Sequence, residues 1–264
     1  MKEGLKKVLD ELIANDLHPE RGEIKLAKDP FGDVYFERLT PNHLERWHPN
    51  GQLWMNSLVK NGELDGICQE WDEKGNLVVQ ENYKNGNREG LSEEWHENGQ
   101  LKARRNYFED KLEGLLERFY PNGQPMLKSE YKDGKREGPT EWWYIDGQLE
   151  IQENYKEDKL DGLREDWHEN GQLRSQDNYK NGERHGSSMY WYPSGEPCLR
   201  GNYKDGNEHG SFEHWDVDGI VTESIYKEGI LESKNIVDDI SNNKTIGSEK
   251  KITLKPKKKG GMKV

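Results

Sequence analysis

Carboxylates and aromatic rings are the side chains whose types and spacing in this sequence could do chemistry. Glu93, Glu117, Glu141, Glu165 and Glu213 each stand two residues before an aromatic side chain, at Trp95, Phe119, Trp143, Trp167 and Trp215. Carboxylates in numbers could exchange protons. A general acid–base site, however, needs a nucleophile and stabilising donors converging at one point, and identical Glu residues strung along a chain do not converge. No catalytic residue is assigned, and an enzyme is not expected. A carboxylate beside an indole suits another task, because the two together attract Arg and Lys through cation–π contact and charge-assisted hydrogen bonds. The candidate partner-binding residues are these five Glu with Trp95, Trp143, Trp167 and Trp191, and the partner they suit is a protein with a basic surface. The structural alternative is a row of solvated charge that keeps a sheet soluble and discourages edge pairing.

Other reactive types do not assemble. His48, His96 and His168 share one slot but stand in the first, third and sixth units of a repeat, too far apart to meet on one ion. His185 and His209, with His214 nearby, fall short of the three or four ligands that zinc takes at about 2.1 Å, so no metal site is expected. Cys68 and Cys198 occupy different slots in distant units and are read as two reduced, inert thiols. There is no GxxxxGK[ST] run or strand-linked GxGxxG, so no nucleotide, and no other cofactor, is implied.

The elements that must position these residues recur with a fixed period. Trp47, Trp71, Trp95, Phe119, Trp143, Trp167, Trp191 and Trp215 follow one another every 24 residues. Four residues after each comes a glycine: Gly51, Gly75, Gly99, Gly123, Gly147, Gly171, Gly195 and Gly219. A second glycine series runs from Gly66 to Gly210, and a tyrosine slot holds Tyr83, Tyr107, Tyr131, Tyr155, Tyr179 and Tyr203. Val59 takes the tyrosine slot in the first unit, and Tyr226 arrives one residue early in the last, a truncation usual in terminal repeats. Such a chain is an array of one small unit.

Within a unit, Asn98-Gly99 reads as a tight turn in which both residues tolerate positive φ. Leu101, Ala103, Arg105 and Tyr107 then alternate with Lys102, Arg104 and Asn106 at strand period. A second turn follows, clearest as Lys84-Asn85-Gly86, and a short strand leads to the next aromatic. Each unit is thus a β-hairpin, and stacked hairpins extend an antiparallel sheet in which like slots meet. The Trp and Tyr ladders are expected to hold the stack, and the Asn slot (Asn82, Asn106, Asn154, Asn178 and Asn202) to form a structural ladder of side-chain hydrogen bonds. Strict alternation places the five Glu on the Trp face and Glu70, Glu94 and Asp166 on the opposite one.

The expected fold is therefore all-β, an elongated antiparallel array of stacked 24-residue β-hairpin repeats with a short amino-terminal helix and a disordered basic tail. Residues 1–44 form the cap. In it Leu5, Val8, Leu9, Leu12 and Ile13 lie at helical spacing and Val34-Tyr35-Phe36 reads as a divergent strand. Residues 45–232 hold eight repeats, and residues 233–264 are the tail. Net charge is −12; the tail's nine Lys against Asp238, Asp239 and Glu249 make it +6, leaving −18 on residues 1–232. With that acidic body, nucleic-acid binding is not expected, and membrane contact is open only to the tail. No apolar run approaches the roughly 20 residues that span a bilayer, and the amino end is too acidic for a secretory signal, so the cytoplasm is the expected location.

The pattern of 98-NGQL, 83-YKNG, Gly90 and 93-EEW resembles the MORN repeat in its bacterial variant form, as found in YwqK-family antitoxin-type proteins, over about residues 45–232. The resemblance implies a MORN-type hairpin array acting as a protein-binding module, with a cognate toxin as one class of partner. It also implies two alternatives, a scaffold or self-associating array and a phospholipid-surface attachment module. The amino-terminal helical segment and the basic tail depart from the repeat pattern, and nothing in the sequence fixes the oligomeric state.

Overall fold

The computed structural model describes residues 3–16, 22–218 and 220–239; Gly219 and the tail from residue 240 lie outside the described residues. Two compact units divide the chain, Met1–Lys135 with Ile145–Gly147, and Arg136–Tyr144 with Gln148–Val264.

The first unit opens with helix α1 (Glu3–Ala14), followed by an antiparallel meander of β1 (Lys25–Lys28), β2 (Val34–Leu39) and β3 (His43–Trp47). From β3 onward the hairpins repeat one register. Gly66 pairs with Tyr83, Gly90 with Tyr107 and Gly114 with Tyr131; in the second unit Gly138 pairs with Tyr155, Gly162 with Tyr179, Gly186 with Tyr203 and Gly210 with Tyr226. Each unit is thus an open antiparallel sheet of stacked hairpins, the expected fold class. The last strand, Ile230–Asp239, pairs with Ile220–Lys227 and so runs past Ser233, where the tail was expected to begin.

The two turns of a hairpin differ. At Asn98-Gly99 only the glycine is left-handed, with φ 79°, its N–H bonding His96 O at 2.8 Å. Asn98 keeps ordinary φ because its side chain works instead: Oδ1 accepts from the Gln100 N–H at 3.1 Å, and Nδ2 donates to Pro121 O in the next hairpin at 2.6 Å. The other turn places two residues at positive φ, as at Asn85 (48°) and Gly86 (82°), the geometry that matches the strand twist. At Glu109 (47°) and Asp110 (64°) neither residue is glycine, at about 1–2 kcal/mol per residue. Glu89 and Asp110 offset this by accepting from the backbone N–H groups of Glu109 and Arg88, at 3.1 and 3.0 Å.

Burial corrects the expectation that the tryptophans form the core. In the aromatic slot only Trp47 is buried among the described residues, at 9% exposure; Trp95, Trp143, Trp167 and Trp191 are half-buried. The buried positions of the hairpins, including Cys68, Ser92, Ala103, Leu116, Ser188 and Phe212, lie on the other face, with the tyrosines. Alternation explains this division: Gly90, Ser92 and Glu94 oppose Tyr107, Arg105 and Ala103, whereas Glu93 opposes Arg104.

Candidate protein-docking face

Among the described residues the chain covers the Trp–Glu face once, by itself. In the first unit the α1 residues Leu5, Val8, Leu9 and Leu12 pack on Trp47, Phe36 and Ile24. Beneath the helix lies Glu45, in the Glu slot two residues before Trp47. It takes the Arg38 Nε at 2.7 Å, while Arg38 Nη1 reaches Asp16 Oδ2 at 2.6 Å, with Arg38 only 3% exposed. An apolar helix stripe and a guanidinium therefore satisfy an indole and a carboxylate together.

Beyond α1 the same face is open. Two residues before the Glu slot stand aliphatic side chains, Ile67 (49% exposed), Leu91 (41%) and, in the second unit, Leu163 (37%). The five Glu are not bare. Arg104 Nε donates to Glu93 at 3.0 Å and its Nη1 lies 3.8 Å from Glu117; Gln152 and Gln176 donate to Glu141 and Glu165 at 3.2 and 2.8 Å; Arg200 Nη2 lies 2.6 Å from Glu213. Half-exposed pairs of this kind contribute about 0–1 kcal/mol, so a partner's cations can replace them at little cost.

On the opposite face polar groups are buried and satisfied. Tyr83 and Tyr155 donate to Glu81 and Glu153 at 2.6 and 2.8 Å, while Arg88 and Arg136 lie over Tyr107 and Tyr155, 4.1 and 3.7 Å from the ring centroids. Burial, then the neighbouring Glu153, raises the Tyr155 hydroxyl to about 12. Burial beside Glu81 also raises the Glu70 carboxyl. Asp166, expected on this face, is 1% exposed and gathers Arg164 Nη1 (2.7 Å), Arg174 Nη2 (3.1 Å) and Ser175 Oγ (2.6 Å). Tyr131, Tyr179 and Tyr203 are half-buried here, and Arg184 lies 5.2 Å from the Tyr203 centroid.

The histidine slot has a role the sequence reading missed. His48, His96 and His168 Nε2 lie 2.8, 2.9 and 3.0 Å from the carbonyls of Trp71, Phe119 and Trp191, each 23 residues on. In the second unit Tyr144 and Tyr192 occupy the slot and donate their hydroxyls to Trp167 O and Trp215 O at 2.9 and 2.8 Å. The alternation of His with Tyr, both long side chains ending in a donor, was the available signal. His185 instead meets Asp205 at 3.2 Å. Among the described residues no group of three or more His, Cys, Asp or Glu is placed to hold a metal ion. Asn82 and Asn178 use Nδ2 to bond the backbone carbonyls of Leu91 and Ser187 at 2.8 and 3.0 Å, so the Asn slot ties strand to strand through the main chain.

A comparison with curated proteins finds no match. Residues 64–85, 88–109, 112–133, 136–157 and 160–181 match the MORN repeat variant, each stretch starting 24 residues after the last. Residues 64–181 are therefore five tandem repeats of the MORN variant type, flanked by hairpins of the same register.

Proposed function

We propose that the array is a non-catalytic, cytoplasmic protein-binding module whose open Trp–Glu face docks a partner carrying apolar and basic side chains. One observation carries this reading: the chain's own α1, with Arg38, covers that face at Trp47 and Glu45, and the next hairpins leave it open beside exposed Ile67 and Leu91. In its sharper form the partner is a cognate toxin and this chain its antitoxin. A toxin acting on nucleic acid presents a basic cleft, and a body of charge −18 would associate with it rapidly. Co-expression with the product of the adjacent gene tests the idea. Co-purification and relief of toxicity are expected, both weakened by Leu91→Arg with Glu93→Arg. A partner that ignores those substitutions would refute the assigned face, and the absence of both binding and relief would refute the antitoxin.

A second reading has its own support. Strand Ile230–Asp239 pairs along one edge only among the described residues, and Ile230 and Ile236 on it are exposed. An open edge of this kind recruits another strand, which supports a self-associating scaffold. Sedimentation of the isolated protein decides: a stable oligomer dissolved by Ile236→Lys supports the scaffold, and a monomer at all concentrations removes it.

A further inference from the structure

Where the cap meets the first hairpin, a cavity of about 590 Å³ is lined by three aromatic rings, Tyr35, His48 and Trp54, and by three acidic residues, Asp29, Asp33 and Glu73. Among the described residues no Lys or Arg belongs to that lining. Trp54 reaches the cavity through a backbone irregularity. Arg46 pairs with Met55 and Trp47 with Leu53, so Trp54 is the extra residue of a β-bulge, a device that re-aims a side chain. Its indole packs against the buried cluster of Leu44, Met55, Val59 and Cys68. Tyr35 meets the indole edge-on, with centroids 5.6 Å apart and planes at 81°, and the His48 ring lies 5.8 Å from it at 33°. His48 is held by the bond from Nε2 to Trp71 O at 2.8 Å.

The fold already sets one cation against these rings. The Arg46 guanidinium carbon lies 5.3 Å from the Tyr35 centroid and 5.8 Å from that of Trp54, with its charge met by Glu37 at 2.8 Å from Nε. The lining acids remain in excess. Asp29 Oδ1 accepts from the N–H groups of Phe31 and Asp33, at 2.9 and 2.8 Å, and so fixes the loop that carries two of them. Among the described residues no three of His, Cys, Asp or Glu gather closely enough to hold a metal ion, so the negative charge is spread around the rings. Spread charge beside aromatic faces suits a large organic cation. The arrangement is confined to this end of the array: the slot of Trp54 holds Val78, Lys102, Met126, Glu150, Arg174 and Cys198 in the hairpins that follow.

The geometry points to a site for a trimethylammonium group, its methyl groups against Tyr35, His48 and Trp54 and its charge balanced by Asp33 and Glu73. Such a group gains from the rings without needing hydrogen bonds, and a carboxylate nearby adds to the attraction. The site does not depend on the docking reading given above.

Choline and its neutral isostere, in which a tert-butyl group replaces trimethylammonium, serve as probes, with calorimetry and the indole Nε1–H shift of Trp54 as readouts. Choline should bind about tenfold more tightly than the isostere, or better, because shape is matched and only the charge differs. Trp54→Val, which gives this slot the residue of the next hairpin, should lose about tenfold. Asp33→Asn with Glu73→Gln, both at exposed positions, should lose about threefold with the urea midpoint unchanged. An N-acetyl trimethyllysine amide that binds more tightly than choline would place the source in a modified protein side chain; equal or weaker binding would place it in a free solute, and either supports the site. Equal binding of choline and the isostere, no detectable binding of choline, or unchanged binding by folded Trp54→Val or by the double charge variant would overturn the proposal.

Discussion

Replacing Gly201 by alanine tests how the buried face is packed. Along that face, residues eleven apart on neighbouring strands meet as pairs. Ser92 Oγ donates to Glu81 at 3.1 Å, Ser188 Oγ to Asp177 at 2.5 Å, and Arg164 Nε to Glu153 at 3.3 Å. In the last such pair the chemistry changes to volume. Phe212 takes the place of serine, standing edge-on to Tyr203 and Tyr226 with centroids 5.4 and 5.2 Å away, and Gly201 takes the place of the carboxylate. A Cβ on Gly201 would lie 2.7 Å from Phe212 Cγ and closer still to Cδ1 and Cε1. Ordinary contact begins near 3.4 Å, so the ring, clamped by two tyrosines, must leave its seat. Overpacking of this kind costs about 1–3 kcal/mol, and the confined ring argues for the upper half. Phe212→Ser alone should cost about 3–5 kcal/mol through lost burial. In that background Gly201→Ala should become neutral or stabilise by about 0.5–1 kcal/mol, the ordinary strand preference for alanine over glycine. Urea unfolding of the four proteins gives a coupling energy of about 2 kcal/mol or more. A neutral Gly201→Ala in the wild-type background, or the same cost with and without Phe212, would refute the reasoning.

Three further outcomes follow from other contacts. Arg38→Met removes the cation that Glu45 and Asp16 share, should cost about 3–5 kcal/mol, and should release α1, read as lost amide-exchange protection over residues 3–14; retained protection would count against the buried pair as the anchor. Tyr192→Phe deletes the hydroxyl on Trp215 O and should lower stability by about 0.5–1.5 kcal/mol, checked by the urea midpoint, with Tyr192→His closer to wild type because histidine fills the slot elsewhere. Burial raises the Cys68 thiol to about 11, so at pH 8 roughly one molecule in a thousand carries the thiolate, and iodoacetamide should label half-buried Cys198 before Cys68 in the native protein. Because the folded value is the higher one, the protonated Cys68 contributes stability that is complete below about pH 8.5 and lost as pH rises toward 11; a Cys68→Ser variant should show less alkaline destabilisation.

Much of the fold was legible. The period and the two turns follow from spacing, because turn residues and strand alternation are local properties; the pairing of the second glycine series with the tyrosines is seen only in the folded sheet. Side chains that act between hairpins were harder to read. The donors of His48, His96, Tyr144 and Tyr192 reach carbonyls 23 residues away, and a slot holding both His and Tyr looks variable until its shared reach is seen.

The sequence by itself determined the repeat, the hairpin and the division of each strand into two faces, one with Trp and Glu, the other with Tyr. Which face is buried was a tertiary decision. Alternation assigns residues to sides without saying which side is covered, and here aromatic residues stood on both. Small side chains such as Ser92 and Ala103 let the tyrosine face close over its own polar groups, while among the described residues a helix covers the other face only at Trp47. The five Glu therefore stand on the open side, Glu93 and Glu165 beside exposed Leu91 and Leu163, and are already tied to Arg104, Gln152, Gln176 and Arg200, because cross-strand register sets their neighbours.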